Sequence, residues 1–269
     1  MSEAYEPSYI KYTTITGFFL QDDPKTDPRT FDYKATNFGL INRTYDTDHE
    51  YDPEHKKTQW QRFQHRVFRY NHESGKNVQY KVLFLGRHGE GYHNVAEAFY
   101  GTHDWDLDGN GTIVWADAHL TGSGITEAQK AHEFWRGEIA TEKIPVPERY
   151  YTSPLSRCLA TANITFGGLD LPSRHPFIPE IKEKLRETMG VHTCDRRSSK
   201  AYIHENYPSY TFELGFAESD ELWVPNLRES DSAQTKRSKE LLDDIFSHDA
   251  STFISFSSHS GEIAAILRG

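Results

Sequence analysis

A chain of 269 residues with 36% hydrophobic, 13% aromatic and 26% charged residues is long enough for one large domain with a substantial core, and a mean hydropathy of -0.74 describes a polar-surfaced globular protein. A formal net charge of -10, with no extended basic cluster, excludes broad attraction to nucleic-acid phosphates or anionic membranes, and no apolar run approaches the roughly 20 residues that span a bilayer. Two cysteines, Cys158 and Cys194, are too few for a disulfide framework, and the start has no basic-then-apolar leader, so free thiols in a cytoplasmic setting, extending to the nucleus, are expected.

Residues 1–80 are rich in Asp, Thr, Tyr, Asn and Pro and read as an N-terminal extended arm packing on the domain that follows. One helix is expected within it, over Thr58 to Tyr70, where Trp60, Phe63, Val67 and Phe68 share a side. From residue 81 to 269, short apolar runs alternate with helical patterns. This predicts an α/β fold, a three-layer α/β/α sandwich around a mostly parallel sheet.

The expected strands are Tyr80 to Gly86, Arg149 to Thr152, His175 to Ile178 and Thr252 to Ser257, with helices near 93–100, 125–140, 154–164 and 233–247. Thr126 to Gln129 fits a capping box, and Ser153-Pro154 fits an N-cap serine followed by proline at the first helical position. The stretch from Asp104 to Gly111 places carboxylates and a glycine as a calcium loop does, but Trp115 stands where a bidentate glutamate is required. It is read as a surface loop, with no metal expected. The chain stops at Leu267-Arg268-Gly269, inside the helix after His259, and a truncated C-terminus is expected.

In open parallel sheets, ligands gather beyond the carboxyl ends of the strands. The first strand runs into Arg87-His88-Gly89-Glu90-Gly91-Tyr92-His93-Asn94, the second into Ser153-Pro154-Leu155-Ser156-Arg157, and the last into His259-Ser260-Gly261. Two arginines, two histidines and helix N-termini at one edge suit a tetrahedral dianion, because guanidinium forks match phosphate oxygens. A neutral imidazole among them can attack phosphorus and carry it as phosphohistidine, without a metal or other cofactor. Neighbouring arginines keep His88 neutral, and Glu187 is the carboxyl placed by chain order to protonate the leaving group.

These pieces, together with Leu185-Arg186-Glu187, Gly190 and the segment Trp115 to Thr121, resemble the histidine phosphatase superfamily in its phosphoglycerate-mutase-like branch, and most of all the fungal phosphomutase-like proteins. The resemblance spans about residues 81 to 267. It implies that His88 is the nucleophile, that Arg87, Arg157 and His259 bind the phosphoryl group, that Asn94 assists, and that Glu187 is the general acid. Glu90, Gly91, Tyr92, His93 and Ser260 are expected to line the pocket, and Arg196 and Arg197 to meet a further part of the substrate.

Mutase-type members carry serine and tryptophan where this chain has Gly91-Tyr92-His93, which turns the expectation toward hydrolysis. The expected activity is a metal-independent phosphomonoesterase acting on a small phosphorylated metabolite such as a sugar phosphate. A phosphomutase, and behind it a calcium-binding module, are the alternatives.

Overall fold

Residues 9–35, 37–101 and 115–268 are described by a computed structural model. The calcium-like loop from Asp104 to Gly111 lies outside the described residues. Eight helices occur among them: α1 (Asp48–Tyr51), α2 (Gln59–Glu73), α3 (Tyr92–Tyr100), α4 (Gly122–Ala140), α5 (Ser156–Phe166), α6 (Lys200–Asn206), α7 (Asp231–His248) and α8 (Ser260–Arg268). The strands are β1 (Val82–Arg87), β2 (Arg149–Thr152), β3 (Glu180–Ile181), β4 (Thr211–Phe212) and β5 (Phe253–Ser258). They form one parallel sheet in the order β1-β5-β2-β3-β4.

The two-residue period of the strands divides the core into two layers. Val82, Phe84, Tyr150 and Phe253 face one side, where they meet Trp60, Phe63 and Val67 of α2, Trp135 of α4 and Phe166 of α5. Leu83, Leu85, Tyr151, Ile254 and Phe256 face the other, against Leu241, Leu242 and Ile245 of α7 and Ile266 of α8. Helices on both faces of a parallel sheet give the three-layer α/β architecture. Residues before β1 contribute Leu40, Tyr45, Trp60, Phe63 and Val67 to the first layer as buried side chains. Removing such residues from water stabilises by about 1.5–3 kcal/mol each.

The local signals differ from the sequence expectation at several places, each for a physical reason. Thr126 does not cap a helix. The cap is Thr121, whose hydroxyl accepts the Gly124 amide, and Thr126 lies inside α4 with its hydroxyl donating to the Gly122 carbonyl. Ser153-Pro154 likewise does not start α5, which begins at Ser156 with Leu155 as its cap.

The strand expected at His175 to Ile178 is displaced to Glu180–Ile181, because Pro176 and Pro179 have no N–H to give to a ladder. β4 and α6 were not expected. The first is two residues long and the second seven, too short for a periodic signal, although Ser199 accepts the Tyr202 amide as an ordinary N-cap.

Because all five strands run the same way, their carboxyl ends lie along one edge. β5, whose six residues are all buried, separates β1 from β2. Arg87 and Ser258 are in register at the ends of β1 and β5, and Thr152 pairs with Ser257 one step back. The loops that follow these three strands therefore open into one crevice, at the place where the connections change from one face of the sheet to the other.

Candidate active site

His88 is the first residue beyond β1, and its backbone N–H still pairs with the Ser258 carbonyl, so the ladder itself fixes where the ring begins. The side chain is buried, at 6% exposure. Its Nδ1 lies 2.7 Å from the Gly89 carbonyl, and its Nε2 accepts a hydrogen bond from Nε of Arg157 at 3.2 Å. A carbonyl can only accept and a guanidinium can only donate, so the two partners agree on one tautomer, with the proton on Nδ1 and the lone pair on Nε2. Burial, then the charges of Arg157 and Arg87, lower the pKa of His88 to about 3, against an opposing contribution from the Gly89 bond.

The loop after His88 is clamped by its close approach to the start of α4. A side chain at Gly89 would put a Cβ 2.4 Å from the Gly124 carbonyl oxygen, and one at Gly124 would stand 2.1 Å from that of Glu90. Two glycines are needed for the backbones to come so near. The Gly89 amide donates to Thr161 Oγ1 at 3.1 Å, which ties the loop to α5 as well.

Arg157, on the first turn of α5, is completely buried. Its Nη1 donates to the Cys194 carbonyl at 2.6 Å and its Nη2 to Asp195 at 3.0 Å, leaving Nε for His88. Asp195 is the counter-ion that makes a buried guanidinium tolerable. Its other oxygen accepts Nη1 of Arg228 at 2.9 Å. Arg228 was not singled out in the sequence because no local pattern marks it.

Asp117 holds the start of α5. Its carboxylate accepts the amide and hydroxyl of Ser156, both at 2.7 Å, and the amide and hydroxyl of Ser198, at 3.1 and 2.6 Å. Its φ of +47° is a left-handed conformation that aspartate tolerates better than most residues.

His259 follows β5 and is wholly buried. Its Nε2 is 2.9 Å from Ser153 Oγ, so Ser153 orients the second histidine instead of capping a helix. The rings of His88 and His259 meet edge to face with centroids 5.1 Å apart, and that of His93 lies 5.5 Å from His88. Burial first, then Arg157 and the other histidines, push the pKa of His259 well down; for His93 burial, Arg157, His88 and Arg87 push it to about 2.

The sign of these shifts gives a direct expectation. A lowered pKa means that the fold favours the neutral ring, which is lost only when the pH falls through the folded value. In an NMR titration the Cε1–H signals of His88, His93 and His259 should therefore stay at their neutral positions from pH 8 down to about 5. Movement of any of the three through an ordinary midpoint near 6.5 contradicts this electrostatic account.

The remaining candidates divide. Arg87 ends β1 with its side chain exposed beside the histidines. Glu187 sits at the start of α8, where one oxygen accepts the Thr188 amide at 2.9 Å and the other the Gly261 amide at 3.1 Å. Ser260 is exposed on the same helix turn. Asn94 lies in the first turn of α3, its Oδ1 accepting the amide of the cap residue Gly91 at 3.0 Å.

Other residues are held away from a substrate role. Glu90 is occupied with the α4 cap: its amide donates to Glu127 at 2.9 Å, and its carboxylate accepts the Thr121 hydroxyl at 2.6 Å. Arg197 is a correction. Its guanidinium is spent on Glu183 and on the carbonyls of Ala217, Ser198, Ser219 and Glu218, with its face over Phe216, so it supports the loop and has no donor left for a ligand. Arg196 is exposed over the Trp223 ring, and Tyr92 is 54% exposed at the start of α3.

The arrangement can hold a small anion next to a neutral imidazole and change its covalent partner. Residues 111–269 match the model of the histidine phosphatase superfamily, branch 1. The chain is 57% identical over 272 residues to a "Probable phosphoglycerate mutase" of Arthroderma benhamiae, covering 99% of this chain and 81% of that protein. It is 40% identical to "Phosphomutase-like protein 3" of Candida albicans (97% and 74% covered) and 32% identical to "Probable phosphoglycerate mutase PMU1" of Saccharomyces cerevisiae (78% and 77%).

Proposed function

The chain belongs to the histidine phosphatase superfamily, and on that premise we propose that it hydrolyses a small phosphorylated metabolite, a sugar phosphate or similar monoester, through a phosphohistidine on His88. The observation that carries this reading is the pair of contacts on one ring: Nδ1 at 2.7 Å from the Gly89 carbonyl and Nε2 at 3.2 Å from Arg157 Nε. A ring with its proton on Nδ1 has a lone pair on Nε2 and can accept a positive charge without losing that hydrogen bond.

In the first step the Nε2 lone pair forms a bond to phosphorus while the bond from phosphorus to the ester oxygen breaks. Glu187 is the carboxyl group that passes a proton to the departing oxygen. Arg157 shifts its Nε–H from the ring to a phosphoryl oxygen, joined by Arg87 and His259, and these groups stabilise the charge that spreads over the equatorial oxygens. In the second step water forms a bond to phosphorus while the bond from phosphorus to Nε2 breaks and returns its electron pair to the ring. Glu187 takes a proton from the water, and inorganic phosphate leaves with His88 neutral again.

The names of the relatives favour a second reading, transfer of the phosphoryl group to another hydroxyl of the same molecule. The two are separated by offering a panel of phosphorylated metabolites in the presence of a chelator and scoring both free phosphate and isomeric products. Phosphate release that survives chelation is the expected result. Release that requires an added divalent ion would overturn the mechanism, and isomer without phosphate would replace hydrolase by mutase.

A further inference from the structure

His93 has no structural task that the fold makes visible. It is 8% exposed, yet its Nδ1 is buried without a hydrogen-bond partner among the described residues. Buried polar atoms are satisfied in the great majority of cases, so a ring left unsatisfied beside a reactive histidine calls for an explanation.

Gly91, two residues earlier, shows which edge of the ring is turned inward. A Cβ on Gly91 would stand 2.6 Å from Nδ1 and 2.7 Å from Cε1 of His93, so that edge is pressed against the Gly91 backbone and cannot reach a ligand. Nε2, at the far tip, is the nitrogen left for one. The ring is 5.5 Å from that of His88, at 54° to it, and shares its surroundings with Arg157 and Arg87. Its charge would also bear on His259.

We propose that His93 is a catalytic residue of this site, whose Nε2–H donates to an oxygen of the phosphoryl group as it moves to and from His88. The inference rests on the phosphohistidine reading and extends it. Placing the proton on Nε2 follows from the geometry: the opposite tautomer would bury an N–H against Gly91 with no acceptor and turn a lone pair toward an anion. The neutral ring adds a donor without adding a further positive charge to those of Arg157 and Arg87 beside the nucleophile, which leaves the His88 lone pair available. A donor that meets the oxygens best when the charge has spread acts on the transition state more than on the bound ester.

The test uses the full chain with p-nitrophenyl phosphate as substrate and orthovanadate as a mimic of the five-coordinate phosphorus. His93→Gln places an amide N–H near the position of Nε2, whereas His93→Asn places it near Nδ1, against Gly91, and His93→Leu removes it. Leucine and asparagine are expected to lower kcat/KM by about 10²-fold and to weaken vanadate by a similar factor. Glutamine should recover to within about fivefold of the parent. Equal losses in all three variants would show a packing role and overturn the proposal, as would full activity in all three.

Gly91→Ala, which pushes the ring aside without changing it, should reproduce the leucine result. If the His93 variants do not fold, parent activity and vanadate affinity in Gly91→Ala would overturn the proposal by itself. A parent chain that releases no phosphate refutes the phosphatase reading, a result distinct from any difference among variants.

Discussion

Replacing His88 with alanine is expected to lower kcat for phosphomonoester hydrolysis by at least about a thousandfold, because the covalent route loses the atom to which phosphorus transfers. The parent protein, mixed with labelled substrate and quenched within one turnover, should carry label that is stable in alkali and released in acid, as expected of a phosphorus–nitrogen bond. The alanine variant should carry none. His88 stands outside the two apolar layers and its nitrogens bond Gly89 and Arg157, while its buried ring packs on His93 and His259. The thermal midpoint of the alanine variant should therefore fall by less than that of the arginine variant described next. A variant that retains labelling would place the nucleophile elsewhere.

Arg157→Leu should be as damaging to catalysis and, unlike the first change, severe for folding. The guanidinium fills a fully buried site and gives hydrogen bonds to Asp195, to the Cys194 carbonyl and to His88. Removing it leaves the Asp195 carboxylate, itself 3% exposed, with Arg228 as its remaining cation. Breaking one side of a buried pair costs about 3–5 kcal/mol, which urea unfolding would register as a lower midpoint. Arg157→Lys keeps a charge but cannot serve three partners in a plane, and should recover less than about a tenth of the activity. A lysine variant as active as the parent would mean that the planar fork is not what the site uses.

The alternation of apolar strands and helical patterns made the parallel sheet readable, and with it the edge at which Arg87, His88, Arg157 and His259 meet. Those residues stand within a few positions of a strand end, where sequence order nearly determines location. Asp117, Asp195 and Arg228 were not readable as parts of the site, because each acts across more than thirty residues of sequence by a hydrogen bond that leaves no periodic trace. Ser153 shows the opposite failure. A serine before a proline has the local form of a helix cap, and the tertiary contact with His259 took precedence over that local preference. Arg197 failed for a related reason: nothing in Asp195-Arg196-Arg197 distinguishes an arginine that faces a ligand from one that braces a loop.

The place of β5 has a bearing on how this protein comes into being. Among the described residues it is the last strand in chain order, yet it lies between β1 and β2. During synthesis those two strands have no hydrogen-bonding neighbour in common until more than two hundred and fifty residues have been made. A ribosome-bound chain that has delivered His88 and Arg157 therefore still lacks the strand that brings His259 beside them, and keeps an open gap lined by apolar side chains until that segment closes it. Such late, long-distance pairing is slow, and it leaves the growing polypeptide dependent on protection from its neighbours until that strand arrives.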